Sequence, residues 1–195
     1  LDTLGLLSKK LIAAHGVWLN EGDLELLSAK SVKIAHNPIS NLKLVSGIAP
    51  MLDAYKKHKI TVGFGTDGVA SNNTQDLFTD MRVAALMHKI TNEDPMAFPA
   101  RDIVSMATIE GARSLCLDNL IGSIEVGKLA DIITINLNKP HLQPIYDPYS
   151  HLVYCANAGD VDDVVVNGRV IMRKRKVINA DEEEILAAAK AFKLS

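Results

Sequence analysis

Three short apolar runs, each leading into one polar residue and each followed by a helix pattern, constrain this chain most. Leu11-Ile12-Ala13-Ala14 ends at His15, and Val32-Lys33-Ile34-Ala35 ends at His36. Ile60 to Phe64 runs on through Gly65-Thr66 to Asp67. Helix patterns follow at Glu21 to Lys30, Ala49 to Lys59 and about Gln75 to Ile90, with another at about Ala100 to Leu115. Strands alternating with helices pair in parallel. Right-handed crossovers then carry all three strand ends to one face. The spacings, 36 − 15 = 21 and 67 − 36 = 31 residues, suit one strand–helix unit each. A barrel segment and a doubly wound sheet both meet these conditions. No GxGxxG or phosphate loop occurs, which weakens the nucleotide-binding form of the second.

The stretch Ile60 to Asn73, ITVGFGTDGVASNN, is the centre of this pattern. Ile60, Val62 and Phe64 carry strand propensity, and Gly63 and Gly65 allow another backbone close. Asp67 sits at the tip, where barrel enzymes place their chemistry. An Asp in a strand-to-helix turn is also an ordinary structural choice. On residue type alone, His15 reads most simply as a strand-end histidine donating to a backbone carbonyl. His36 reads as a loop-shaping residue, followed by the break at Asn37-Pro38. Ile39 to Gly47 is expected to be a loop, its Ser40 to Ser46 part lying over the pocket mouth with Asn41 or Lys43 in reach of a substrate. His58, His88, His141 and His151 show no ligand spacing and are assigned to surface or packing. Trp18 would line the pocket or, more in keeping with a lone Trp, sit in the core. The stripe Leu77, Met81, Ala84, Ala85 and His88 is expected to face the strands. Asp2 to Lys10 is read as the end of a helix, so the chain is expected to be an incomplete piece.

Past Leu117 the pattern changes. Ile121 to Lys128 is turn-rich, Ala130 to Leu137 is a strand, and His151 to Tyr154 is a further short segment. Val161 to Val166, Asn167-Gly168 and Arg169 to Met172 make a hairpin on the strongest short turn signal. Ile178 to Leu194 closes with a helix capped by Asp181. The division expected is a strand–helix part at 1–117 and a small β-rich part at 118–195. Arg173 to Lys176 is a basic run at a hairpin edge, where charge discourages sheet-edge pairing.

With 195 residues and 48% hydrophobic residues, the chain can bury a real core. A formal charge of −2 gives no support for nucleic-acid binding. Cys116 and Cys155 lie far apart with no CxxC, which excludes a disulfide framework or a structural zinc knot and fits a reducing cytoplasm. No stretch approaches the ~20 apolar residues of a membrane span.

Three segments carry a family resemblance: His36 to Pro50 (HNPISNLKLVSGIAP), Gly65 to Asn73 (GTDGVASNN) and Gly127 to Asn136 (GKLADIITIN). Together they resemble the amidohydrolase superfamily, above all its branch of 5′-methylthioadenosine/S-adenosylhomocysteine deaminases and the related triazine hydrolases. The resemblance covers about residues 11 to 190. It implies an α/β fold, the C-terminal part of a (β/α)8 TIM barrel, strands six to eight, plus a small β-sandwich segment. It implies Asp67 as a ligand of one divalent metal, zinc or another transition metal such as iron, and as a proton acceptor. His15 would contact the reacting ring or the attacking water, and Ser71 would lie near the substrate. The implied reaction is hydrolytic deamination of an adenine-type nucleoside. Another ring, such as a triazine, guanine or cytosine, and an inactive half-domain are the competing readings.

The sequence also departs from that family. It contains no HxH pair and no HxxE motif, so the other metal ligands and the proton-shuttling glutamate are expected from a missing N-terminal half. A barrel takes ~250 residues, more than twice the strand–helix part here. A small-molecule substrate and a possible homo-oligomer complete the expected partners, with no nucleic acid and no membrane.

Overall fold

The structure, a computed structural model, describes residues 1–192. Strands β1 (Ile12–Ala14), β2 (Lys33–His36) and β3 (Val62–Phe64) form a parallel sheet in the order β1-β2-β3. Ala14 pairs with Ala35, and Ala35 with Gly63, so the three strands end level. Gly63 is required there, because a Cβ would fall 3.0 Å from the Gly111 Cα.

Helix α1 (Glu21–Ala29) starts on a capping box in which Asn20 and Asp23 satisfy each other's backbone N–H. It buries Leu24 and Leu27. The segment expected to be a loop from Ile39 begins instead as helix α2 (Pro38–Lys43). Pro38 at its first turn supplies a preset φ and has no N–H to lose. The helix expected over Ala49 to Lys59 is regular only at its start and turns π-helical over Asp53–Lys57. The turn α3 (Val69–Asn72) follows β3, and the long helix α4 (Leu77–Thr91) is capped by Asp76. Met81, Ala84, Ala85 and His88 are buried on its inner face, as the stripe predicts, and Leu77 is only partly covered.

The helix expected over Ala100 to Leu115 is two, α5 (Ala100–Ala107) and α6 (Ile109–Ser114). Thr108 breaks it with φ −124° and ψ −96°. Its Oγ donates to the Val104 carbonyl at 2.7 Å, taking the acceptor that helical continuation needs. No helix runs to Lys10: a single 3₁₀ turn (Asp2–Leu4) ends at Gly5, whose φ of 66° stops it.

The second sheet is antiparallel, β4 (Ile132–Ile135), β5 (Val161–Val166), β6 (Arg169–Arg173) and β7 (Lys176–Val177) in sequence order. Asn167 and Gly168 both take positive φ, 48° and 75°, as the two-residue hairpin turn demands. Residues expected as a short segment at His151 to Tyr154 belong to helix α7 (Pro148–Tyr154). The closing helix α8 (Glu182–Ala191) is capped by Asp181 as expected; the end assigned to residues 193–194 lies outside the described residues.

One core cluster joins α1, β2, β3, α4 and α5 and takes in Val153 of α7. Arg82 ties α4 to α7 by donating to the Val153 and Ala156 carbonyls, at 3.3 and 2.7 Å. A cavity of about 790 Å³ opens between the parallel sheet, α5, α6 and β4 and is lined mainly by apolar side chains such as Phe64, Met81 and Ile133.

Candidate functional site

Three sequence-predicted residues share the end of the parallel sheet, and two of them carry unusual backbone. His15 follows β1 with φ 67°, and Asp67 follows β3 with φ 61°. Left-handed backbone is uncommon for residues with a Cβ, and functional sites hold more than their share of it. The turn at β3 depends on close approach: a Cβ on Gly65 would fall 2.7 Å from Asn37 Nδ2.

Asp67 is fixed from two sides. Ser40 Oγ–H donates to its Oδ2 at 2.6 Å, and the Gly68 N–H donates to its Oδ1 at 2.7 Å. These bonds, with smaller contributions from His15 and Ser71, hold the carboxyl below the usual carboxylate range against a modest desolvation effect. His15 Nδ1 lies 2.8 Å from Asn41 Oδ1. That contact fixes the ring through Nδ1 and leaves Nε2 turned toward Asp67. Nε2 faces Asp67 Oδ2 at 4.0 Å, with the side chains 41% and 31% exposed. That gap is too long for a hydrogen bond. Ser71 sits in the α3 turn, its N–H bonded to the Gly68 carbonyl at 3.0 Å.

The structure places other predicted residues elsewhere. Asn41 is buried against His15 rather than free to meet a substrate. Lys43 is committed to the Ala70 carbonyl and Asn73 Oδ1. His36 points into the core: its Nε2 lies 3.2 Å from His88 Nε2, and the rings sit 5.3 Å apart. His88 is a packing residue, as expected, whereas His36, expected to shape the loop, packs in the core beside it; burial holds both neutral, with His36 lowered to about 3 and His88 to about 4. Trp18 is 86% exposed, so it is not a core residue. Gly16 turns the chain outward with φ 60° just before it.

Sequence reasoning missed Ser40 as the partner of Asp67 and Asn41 as the partner of His15. The available signal was Pro38 at a helix start, which converts Ser40 and Asn41 from loop residues into residues at fixed helical positions.

A metal would find one carboxylate and one imidazole here, oxygen and nitrogen donors of the kind zinc takes. Asp67 is already ionised, so it need lose no proton to bind. Among the described residues, no group of three or more His, Cys, Asp or Glu side chains converges. The donor set therefore fits such an ion in kind and is partial in number.

Comparison with known proteins gives a consistent context. Residues 1–171 match the profile of the amidohydrolase family. The chain is 48% identical over 189 residues to the 5-methylthioadenosine/S-adenosylhomocysteine deaminase of Pelotomaculum thermopropionicum, covering 97% of this chain and 43% of that protein. It is 45% identical over 190 residues to the 5′-deoxyadenosine deaminase of Methanosarcina acetivorans, again covering 97% and 43%. Among solved structures, an adenosine deaminase from Xanthomonas campestris with bound zinc superposes with a TM-score of 0.94 at 38% identity, over 97% of this chain and 43% of that one. The chain thus spans less than half the length of the curated relatives it matches.

Proposed function

The chain belongs to the amidohydrolase family, and from that premise we propose that it is the C-terminal part of a metal-dependent hydrolytic deaminase of adenine-type nucleosides. The substrates in this reading are 5′-methylthioadenosine, S-adenosylhomocysteine or 5′-deoxyadenosine. Water replaces the ring amine, giving the inosine analogue and ammonia. The observation that carries the reading is the approach of His15 Nε2 to within 4.0 Å of an ionised Asp67 at the ends of parallel strands.

In this reading Asp67 holds one divalent metal, zinc by analogy with the neighbouring solved enzyme. Such an ion supplies a water that ionises near pH 7. Asp67 accepts a proton from the attacking water, as an ionised carboxylate can and a protonated one cannot. Ser40 and the Gly68 N–H keep the carboxylate ionised and turned toward the site. His15 offers Nε2 to the attacking water or the ring, and Asn41 holds that face of the imidazole in place. Ser71 contacts the substrate.

The three parallel strands are assigned as the sixth to eighth of a (β/α)8 barrel, and the antiparallel sheet as part of a β-sandwich. We divide the chain into 1–117 and 118–195, with α7 bridging the two. The remaining ligands and the acid that protonates the leaving ammonia come from the other part of a longer polypeptide, and the setting is cytoplasmic. No helix among the described residues is long and apolar enough to cross a membrane.

The test is ammonia release by the complete polypeptide from the three nucleosides, with metal content measured alongside. Stoichiometric metal and turnover on at least one nucleoside are expected. A metal-loaded protein inert toward all three would sink the reading.

A further inference from the structure

Asp80 is a carboxylate in the wrong place for an ordinary surface acid. It lies on α4 between the residues that feed the core and is 0% exposed. Among the described residues no cation stands beside it, and the one charged neighbour felt by its carboxyl is Asp76, of its own sign. Burying such a group costs the fold unless its oxygens are used. Both are used, and both as acceptors. Oδ1 faces the Ile39 N–H at 3.4 Å, a long contact, and Oδ2 accepts from Asn72 Nδ2 at 3.1 Å. Asn72, also buried, passes the link on by donating to the Thr66 carbonyl at 2.8 Å.

These contacts land at matching points. Ile39 precedes Ser40, and Thr66 precedes Asp67. Ser40 and Asp67 are themselves joined at 2.6 Å. The segment after β2 and the segment after β3 are therefore bound once through the site and once beneath it.

We propose that Asp80, acting through Asn72, is a positioning residue that locks the two strand-end segments together and so aims the Asp67 carboxylate and the Ser40 hydroxyl. The inference rests on the proposed function for its catalytic consequence, not for the lock itself. Two acceptor oxygens facing two donors require the ionised form; an amide in its place presents a donor to a donor. Burial pushes the Asp80 carboxyl up to about 6, so at pH 8 the charge is held at a cost to the fold. Asp80→Asn removes that charge but turns a donor on a donor, so the two effects on stability oppose each other and the fall in turnover should exceed the change in stability.

The experiment uses Asp80→Asn, Asp80→Glu and Asn72→Ala in the complete polypeptide at pH 8. Three quantities are read: kcat and KM for the accepted nucleoside, the melting temperature, and amide hydrogen exchange of peptides spanning 37–47 and 65–76. Asp80→Asn is expected to lower kcat by about 10- to 100-fold, the usual range for removing a partner of a site residue, with KM changing less. Exchange in both peptides should rise together. Asn72→Ala cuts the same link from the other end and should act likewise, while Asp80→Glu, which keeps two acceptors, should recover part of kcat. Unchanged exchange in either peptide would overturn the lock. Faster exchange with unaltered kcat, or a kcat loss that only tracks a collapse in melting temperature, would overturn the positioning role. A parent protein inert toward adenine nucleosides would instead count against the proposed function, and exchange would still decide the lock.

Discussion

At the scale of single residues, the site depends on who holds whom. Asp67 owes its low pKa first to the Ser40 hydroxyl and then to the Gly68 N–H. In the complete polypeptide, Asp67→Ala should strip bound metal and abolish turnover while the circular dichroism spectrum stays that of a folded protein. Retained metal with near-normal turnover would take Asp67 out of the site. Ser40→Ala is a milder test. The Asp67 pKa is depressed, so losing the largest cause of that depression raises it toward the ordinary value. Protons then compete for the carboxylate at a higher pH, and the acid limb of the activity profile should move upward. Loss of the aim given by Ser40 should also cost about 10-fold in kcat at neutral pH. The placing of Asp67 and His15 together past the strand ends was legible in the sequence because each follows a strand pattern, whereas the roles proposed for them came from the family resemblance. Ser40 and Asn41 were not legible, because their roles depend on a six-residue helix whose pattern is too short to stand out.

At the scale of elements, β2 and α4 meet through a neutral imidazole pair. His36 and His88 are both lowered by burial, and His36 further by the nearness of His88. In the unfolded chain each binds a proton near pH 6.5. Between that value and the folded values near 4 and 3, the unfolded state holds more protons than the folded one. Stability contributed by the pair is thus present above pH 6.5 and is lost as pH falls, by at most about 1.4 kcal/mol per pH unit for each ring. Asp80, raised to about 6, acts in the opposite sense between its unfolded value near 3.8 and 6. Two rings outweigh one carboxylate, so denaturant midpoints should drop from pH 7 to pH 4.5. Replacing both histidines, as His36→Phe with His88→Leu, should flatten that slope; an unchanged slope would assign it to other groups. The element pattern was the most legible part of the chain, since parallel strands, the α4 stripe and the Asn-Gly hairpin all rest on local periodicity or turn chemistry. The break at Thr108 was hidden, because it comes from one hydroxyl competing for a backbone carbonyl.

At the scale of the whole molecule, the apolar cavity and the two open edges of the parallel sheet set its behaviour. Among the described residues β1 and β3 each pair on one side only, and Ile12, Ile124 and Val126 are exposed. Unpaired edges and exposed apolar surface favour association. The 195-residue chain expressed by itself should therefore elute as concentration-dependent oligomers in size-exclusion chromatography, and coexpression with the remaining part of the polypeptide should yield a discrete species. A monodisperse monomer of the isolated chain at high concentration would contradict this. That α7 would share the first core was not legible either, because the link runs between residues more than 70 positions apart, Arg82 and Ala156.

That link also orders events on the ribosome. The core around α4 and α5 stays open on one side until Val153 and Ala156 have been made, 74 residues after Arg82. At ordinary rates of synthesis this is a delay of roughly 4–15 s, during which the cluster lacks Val153 and Arg82 lacks its two carbonyl partners. A nascent chain stalled between α6 and α7 should accordingly be a preferred client of chaperones, and one extended past α7 should be released from them.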